Sequence, residues 1–428
     1  MSQTCVRTPI GTGIHLTAIS DSKFKHNRLS INFVLPLDRD RASDHAAVPH
    51  ILRMGCRTLP DLSSLNARLQ ELYGANLDAS VYKFGGYQVM ELSIRGLDNR
   101  YALEGEDITA QCAQLLAQIA LDPKLDGDGL FYETDTALQR RFIQDAIEAE
   151  INEKRSYAIS QCLQTMCEGE PVAVKTYGYL ETAAAITAKS ATAAYRHMLK
   201  NAPIEVVFTG AGDAQIAGRV LSEAFAGQQR TPFDYSAVRL GPVAGAVREK
   251  TEEMDIAQGK LVLGLRCQGL ETPRQIRAAR LFSALYGGTP FSKLFRNVRE
   301  KLSLCYYCAS RFDSATHLLL VDSGIETANK EKAQEEILRQ LEVVKSGDFT
   351  DEELAETKLL MRSSLITTTD SPSATEGWYM AQILRGQMVS PQEDANALDA
   401  ITREEIVQAA QTVQLDTVYF LKGKEERQ

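Results

Sequence analysis

Two stretches decide the fold. Ala185-Ile186-Thr187 runs on through AKSATAAYRHMLKNAPIEVVFTG to Gly210, and Ala400-Ile401-Thr402 runs on through REEIVQAAQTVQLDTVYFLKG to Gly423. In each, a Thr stands where a helix N-cap is wanted, a helical period follows, and a β-branched run leads to a Gly. Working outward, Leu29–Leu37 (LSINFVLPL) reads as a strand, followed by a polar loop and a helix from about Asp44 to Met54, stopped by Gly55. The same order returns with GKLVLGLR from Gly259, the loop QGLETPRQ, and a helix Ile276–Tyr286 stopped by Gly287-Gly288. A long helical region precedes each closing stretch, LQRRFIQDAIEAEI in the first and TDEELAETKLLMRSSL in the second. The latter opens with a capping box at Thr350 and Glu353. Three matches in one order point to internal duplication.

The stretch 225–250 (FAGQQRTPFDYSAVRLGPVAGAVREK) has no sustained period and holds two Pro and several Gly, as a linker does. The organisation expected is therefore a domain over 1–224, a linker over 225–250 and a second domain over 251–428. Each is an α+β unit with a mostly antiparallel sheet and helices packed on one face. The 428-residue length suits two to four domains at roughly 100–200 residues each. With 44% apolar and 24% charged residues, a sizeable core is available. Fifty-six acidic against 47 basic residues leave a net charge of -9, which argues against a nucleic-acid partner. Bilayer-spanning runs are absent, and MSQTCVRTPIGTGIHL lacks a signal-peptide layout, so a cytoplasmic location is expected.

The eight cysteines are spread too thinly for a disulfide framework. Only Cys305-Tyr-Tyr-Cys308 has redox or zinc spacing, and in a regular strand residues three apart face opposite ways. Phosphate-loop, nucleophile-elbow and dinucleotide motifs are missing; Gly11/Gly13 and Gly210/Gly212 read as turns. Asn152–Ala158 (NEKRSYA) reads as a solvated helix end, and Trp378 as core more than as a subunit anchor.

The informative segment is Pro49-His50-Ile51-Leu52-Arg53-Met54-Gly55-Cys56-Arg57-Thr58, followed by LQELYGAN at 69–76. It resembles the zinc-motif region of the M16 metallopeptidases (insulinase, pitrilysin, mitochondrial processing peptidase). There a helix carries H-x-x-E-H: two His bind Zn²⁺, the Glu polarises water, and a Glu on a neighbouring helix is the third ligand. The resemblance implies a LuxS/MPP-like metallohydrolase fold. Here His50 stands at the first His, Arg53 at the Glu and Met54 at the second His. A thioether is a poor Zn²⁺ ligand, a guanidinium repels a dication, and no general base remains. The expectation is a lost zinc site and no metal cofactor. Asp145, Glu148 and Glu150 are the carboxylates nearest the third-ligand region, and His45, five residues before His50, shares no helix face with it.

In the second half, LYGGTPFSKLFRNVREKLSLCYY (285–307) resembles the family's C-terminal signature. By that resemblance Arg299 and Tyr306 are substrate-binding, holding the peptide backbone and an oxyanion; a forked cation and a phenol suit carbonyl oxygens. RMGCRT, LQELYGANL, INEKRSYA, KTYG (175–178) and TTTDSPS resemble the small zinc-less bacterial branch called YfmF-like. The resemblance implies a non-catalytic subunit that binds extended peptide and pairs with a zinc-bearing M16 peptidase, or with itself as a homodimer. An active zinc peptidase with a rearranged site and a purely structural scaffold are the alternatives.

Overall fold

The structure is a computed structural model that describes residues 3–235 and 241–423, so the 236–240 part of the expected linker lies outside the described residues. It contains two compact units. The first comprises 3–148, 174–235 and 369–390; the second comprises 149–173, 241–368 and 391–423.

The first unit has a six-stranded sheet: β1 (Thr4–Gly11), β2 (Ile14–Ser20), β3 (His26–Pro36), β4 (Asn76–Phe84), β5 (Tyr87–Leu97) and β6 (Ile204–Gly210), in the order β1-β2-β6-β3-β5-β4. The β2–β6 pair is parallel and the others antiparallel. The second unit has β7 (Arg248–Met254), β8 (Gly259–Cys267), β9 (Cys305–Asp313), β10 (Leu318–Ile325) and β11 (Val413–Gly423), in the order β7-β11-β8-β10-β9. Here β7–β11 is the parallel pair. Five neighbouring strands thus repeat the same order and the same senses, β2-β6-β3-β5-β4 matching β7-β11-β8-β10-β9, with β1 added in the first unit. The closing stretches are as expected: Thr187 caps Ala188–Asn201 ahead of β6, and Thr402 caps Arg403–Gln411 ahead of β11. Thr350 and Glu353 close the expected capping box on Asp351–Thr367.

The period of two gives each sheet two distinct faces. In the first unit Leu29, Ile31 and Phe33 of β3 lie between Ile94, Leu92 and Met90 of β5 and Phe208, Val206 and Ile204 of β6. All are buried with residues of helices Ala42–Leu52, Ile108–Leu121 and Ala188–Asn201. Burying each such side chain stabilises by about 1.5–3 kcal/mol. The alternate residues Arg28, Ser30 and Asn32 form the other face. Helix Pro372–Leu384, from late in the chain, lies on it: Glu376 accepts from Arg28 and from Ser30, and Arg28 also reaches Glu91 at 2.5 Å.

The second unit mirrors this. One face of its sheet receives helix Lys154–Met166, from early in the chain, through the apolar cluster of Ala158 and Cys162 with Val262, Tyr419 and Leu421. A Cβ on Gly264 would sit 2.7 Å from the Met166 sulfur, so only glycine allows this approach. Arg155 forks onto Asp322 of β10 at 2.5 and 3.2 Å, and Arg266 binds Asp416 at 3.0 Å and Glu170 at 2.7 Å. The helix end around Arg155 is largely exposed, as the sequence suggests, and the charge of Arg155 is also matched by an aspartate 167 residues away. Each unit is discontinuous in sequence, a feature that contiguous stretches 1–224 and 251–428 leave out. Trp378 is half-buried, with its indole N–H donating to the Val389 carbonyl at 2.8 Å. Among the described residues no helix is long and apolar enough to cross a membrane.

The Arg28 network predicts an asymmetry. Arg28→Ala leaves two carboxylates facing each other in the interior and should lower unfolding free energy by about 3–5 kcal/mol in denaturant titrations. Glu376→Gln, with Glu91 still opposite Arg28, should cost clearly less. Equal losses would contradict the network.

Candidate functional site

The motif helix Ala42–Leu52 follows β3, and Arg53 and Met54 form the turn that leaves it. Gly55, at φ +143°, takes the chain away from the helix end. The three motif side chains have separate occupations. The His50 ring packs 4.8 Å from Phe142 and 6.4 Å from Tyr177, and its Nε2 is buried without a hydrogen-bond partner. Burial holds its pKa down at about 4. Arg53 Nε donates to the Leu77 carbonyl of β4 at 3.1 Å, and Met54 Sδ accepts from Gln139 Nε2 at 3.3 Å.

Helix Glu133–Ala149 therefore presents Gln139 and Phe142 to the motif. Of the carboxylates singled out in sequence, Asp145 is exposed and paired with Arg141 at 2.8 Å, Glu148 is exposed, and Glu150 lies in the second unit. The His45 ring is buried and stacks on His197 at 5.4 Å, with its pKa pushed down to about 3 by burial. Among the described residues no group of three His, Cys, Asp or Glu is placed to hold a metal ion. One imidazole, a thioether and a guanidinium do not suit Zn²⁺, which takes three or four N, S or carboxylate donors. Gln139 was missed because sequence reasoning searched only for carboxylates; the signal available was the shorter separation from Met54.

Arg53 also touches the edge of the sheet. The two-residue link Gly85-Gly86 makes Phe84 and Tyr87 the bonded closing pair of the β4–β5 hairpin. Counting back by two, Leu77 and Ala79 then direct their backbone groups away from β5. Arg53 takes the outward Leu77 carbonyl, and Asp78 Oδ1 accepts from the outward Ala79 N–H at 2.9 Å.

In the second unit Arg299 and Tyr306 converge. Both line an open cleft of about 400 Å³ with Glu300, Ser303, Cys305 and Glu326. Arg299 sits in the π-helical turn Phe295–Lys301, its guanidinium over the Phe295 ring at 4.7 Å and its ion pair with Glu300 long, at 3.6 Å. Tyr306 is the extra residue of a β-bulge: Tyr307 pairs with Gly324, and Cys305 with Ile325. The bulge turns Tyr306 out of the sheet, 60% exposed, so it is not a packed strand aromatic. It also reverses the alternation, which places Cys305 and Cys308 on the same face. The opposite-face reading of that pair is corrected by the bulge.

A family model described as "Peptidase M16 inactive domain" matches residues 185–361. Over 418 residues, 96% of each chain, the sequence is 31% identical to "Probable inactive metalloprotease YmfF" of Bacillus subtilis. It is 26% identical over 190 residues, 44% of this chain and 48% of the other, to "Antilisterial bacteriocin subtilosin biosynthesis protein AlbE" of the same organism. A crystal structure of a conserved protein from Enterococcus faecalis superposes with a TM-score of 0.91 at 24% identity, over 99% of this chain and 100% of that one, a likeness of fold.

Two measurements check the site. Arg53→Glu with Met54→His restores the motif letters but leaves Gln139 opposite, so zinc binding in calorimetry should stay weak. Adding Gln139→Glu should tighten it by at least about tenfold, the usual effect of one added ligand interaction. Second, unfolded His takes up a proton near 6.5, whereas folded His50 and His45 do so only near 4 and 3. Between those values the unfolded chain binds more protons, so stability is full above about pH 6.5 and falls as pH drops toward 4. His50→Gln should flatten that fall, by on the order of 1–2 kcal/mol at pH 5, in denaturant titrations.

Proposed function

The chain belongs to the M16 metallopeptidase family, and from that premise we propose that it is a non-catalytic member whose second-unit cleft holds an extended peptide. The carrying observation is the contrast between its units. Arg299 and Tyr306 line one open cleft, Tyr306 turned outward on its bulge. The positions of the catalytic Glu and second His are occupied by Arg53 and Met54, each engaged in a structural hydrogen bond. The relatives described as inactive support the same direction.

On this reading zinc is lost and the chain activates no water. It supplies the peptide-holding half to a zinc-bearing M16 peptidase subunit, or to a second copy of itself, in the cytoplasm. The guanidinium fork of Arg299 and the hydroxyl of Tyr306 donate to peptide carbonyls, and the wall formed by Glu300 and Glu326 favours a peptide carrying positive charge. Two outward groups of β4, the Leu77 carbonyl and the Ala79 N–H, are taken by Arg53 and Asp78, so peptide pairing at that end of the edge first requires those two side chains to yield.

The test is binding of an unstructured basic peptide, read by fluorescence anisotropy beside a cleavage assay with and without chelator. Binding without cleavage is expected, weakened about ten- to a hundredfold in Arg299→Ala and less in Tyr306→Phe, as loss of a charge-assisted and a neutral hydrogen bond implies. Chelator-sensitive cleavage by the purified chain would overturn the reading in favour of a rearranged active site. Unchanged binding in both variants would leave a scaffold.

A further inference from the structure

The bulge that exposes Tyr306 has a second product. With one extra residue between them, Cys305 and Cys308 share a face of β9, and their thiols hydrogen-bond to each other. Cys305 contributes to the cleft wall beside Arg299 and Cys308 lies opposite Ser323 of β10; both are buried, 8% and 6% exposed. The cleft thus reaches Cys305, and Cys308 lies beside it on the same face.

We propose that Cys305 and Cys308 form a thiol–disulfide exchange site, at which Cys305 takes a small disulfide entering through the cleft and Cys308 resolves the product. Cys305 gives up its proton, and its thiolate attacks one sulfur of R–S–S–R. A protein mixed disulfide forms, and the departing RS⁻ takes up a proton. Cys308 then loses its proton and attacks the Cys305 sulfur, closing the Cys305–Cys308 bond and releasing the second RSH. Two protein thiols are oxidised and one small disulfide is reduced to two thiols, so atoms and electrons balance.

The surroundings distinguish this pair from the other cysteines. The hydrogen bond from Cys308, with a smaller contribution from the Arg299 charge, holds the Cys305 thiol below its usual range, and the same hydrogen bond pushes Cys308 well up. A low-pKa attacking thiol beside a protonated partner is the arrangement exchange chemistry uses. Burial instead pushes Cys5, Cys112 and Cys267 up to about 12. The site stands apart from the peptide-binding reading, because it needs no peptide and no partner subunit.

The experiment is incubation of the full chain with glutathione disulfide, then alkylation and mass spectrometry of the tryptic peptide 302–311, which holds both cysteines. The expected product is that peptide lighter by two hydrogens and resistant to alkylation, while Cys5, the more exposed thiol, remains alkylatable. Cys308→Ser should stop at a glutathione adduct on Cys305, and Cys305→Ser should give neither product. Full alkylation of both thiols in the wild-type chain, arrest of the wild-type chain at the adduct, or equal labelling of Cys5 overturns the proposal. The wild-type measurement decides even where a variant folds poorly.

Discussion

Buried carboxylates matched by arginines from distant sequence are what the two units depend on. Arg28 on β3 meets Glu376 of a helix drawn from the second half, and Asp322 on β10 meets Arg155 of a helix drawn from the first. The sheet face carrying Arg28, Ser30 and Asn32 is polar at those positions, and the helix that covers it brings the complementary charge of Glu376. Breaking such a pair from one side leaves the other charge buried without compensation. The same pairs make folding non-local, because neither sheet completes its second face until the other half of the chain has been made.

Within this frame the two units have diverged where their corresponding edge strands begin. In the first, β4 is closed off by Arg53, the residue standing where the family carries its catalytic glutamate. In the second, the corresponding strand β9 opens by a bulge, and the π-helical turn before it carries Arg299 to the same cleft. On the proposed reading, that one substitution removes a base and repels a dication while it bonds a strand edge.

The repeat was legible because its signals are local. Thr187, Thr350 and Thr402 cap helices through the backbone N–H three residues on, and β-branched runs reveal β6 and β11 whatever surrounds them. Arg299 and Tyr306 stand out through the family signature, and both line one cleft. What escaped depended on partners far along the chain. The pairing of the exposed Arg155 with the buried Asp322 cannot be read locally. Gln139 carries no charge to mark it beside Met54. The Cys305–Cys308 alternation argument was sound for a regular strand and failed because the pairing of β9 with β10 skips one residue. The β1–β2 hairpin gives only weak alternation, since β1 lies at a sheet edge and is half exposed.

The crossing of helices between halves bears on how such a gene divides. A cut in the 226–247 stretch severs no helix or strand among the described residues, yet each product lacks a helix that completes its own sheet and holds one that completes the other's. Two open reading frames broken there would encode polypeptides that recover both units only by assembling together, an obligate heterodimer in place of one chain. With one helix contributed each way, neither half of the duplicated chain holds a whole unit.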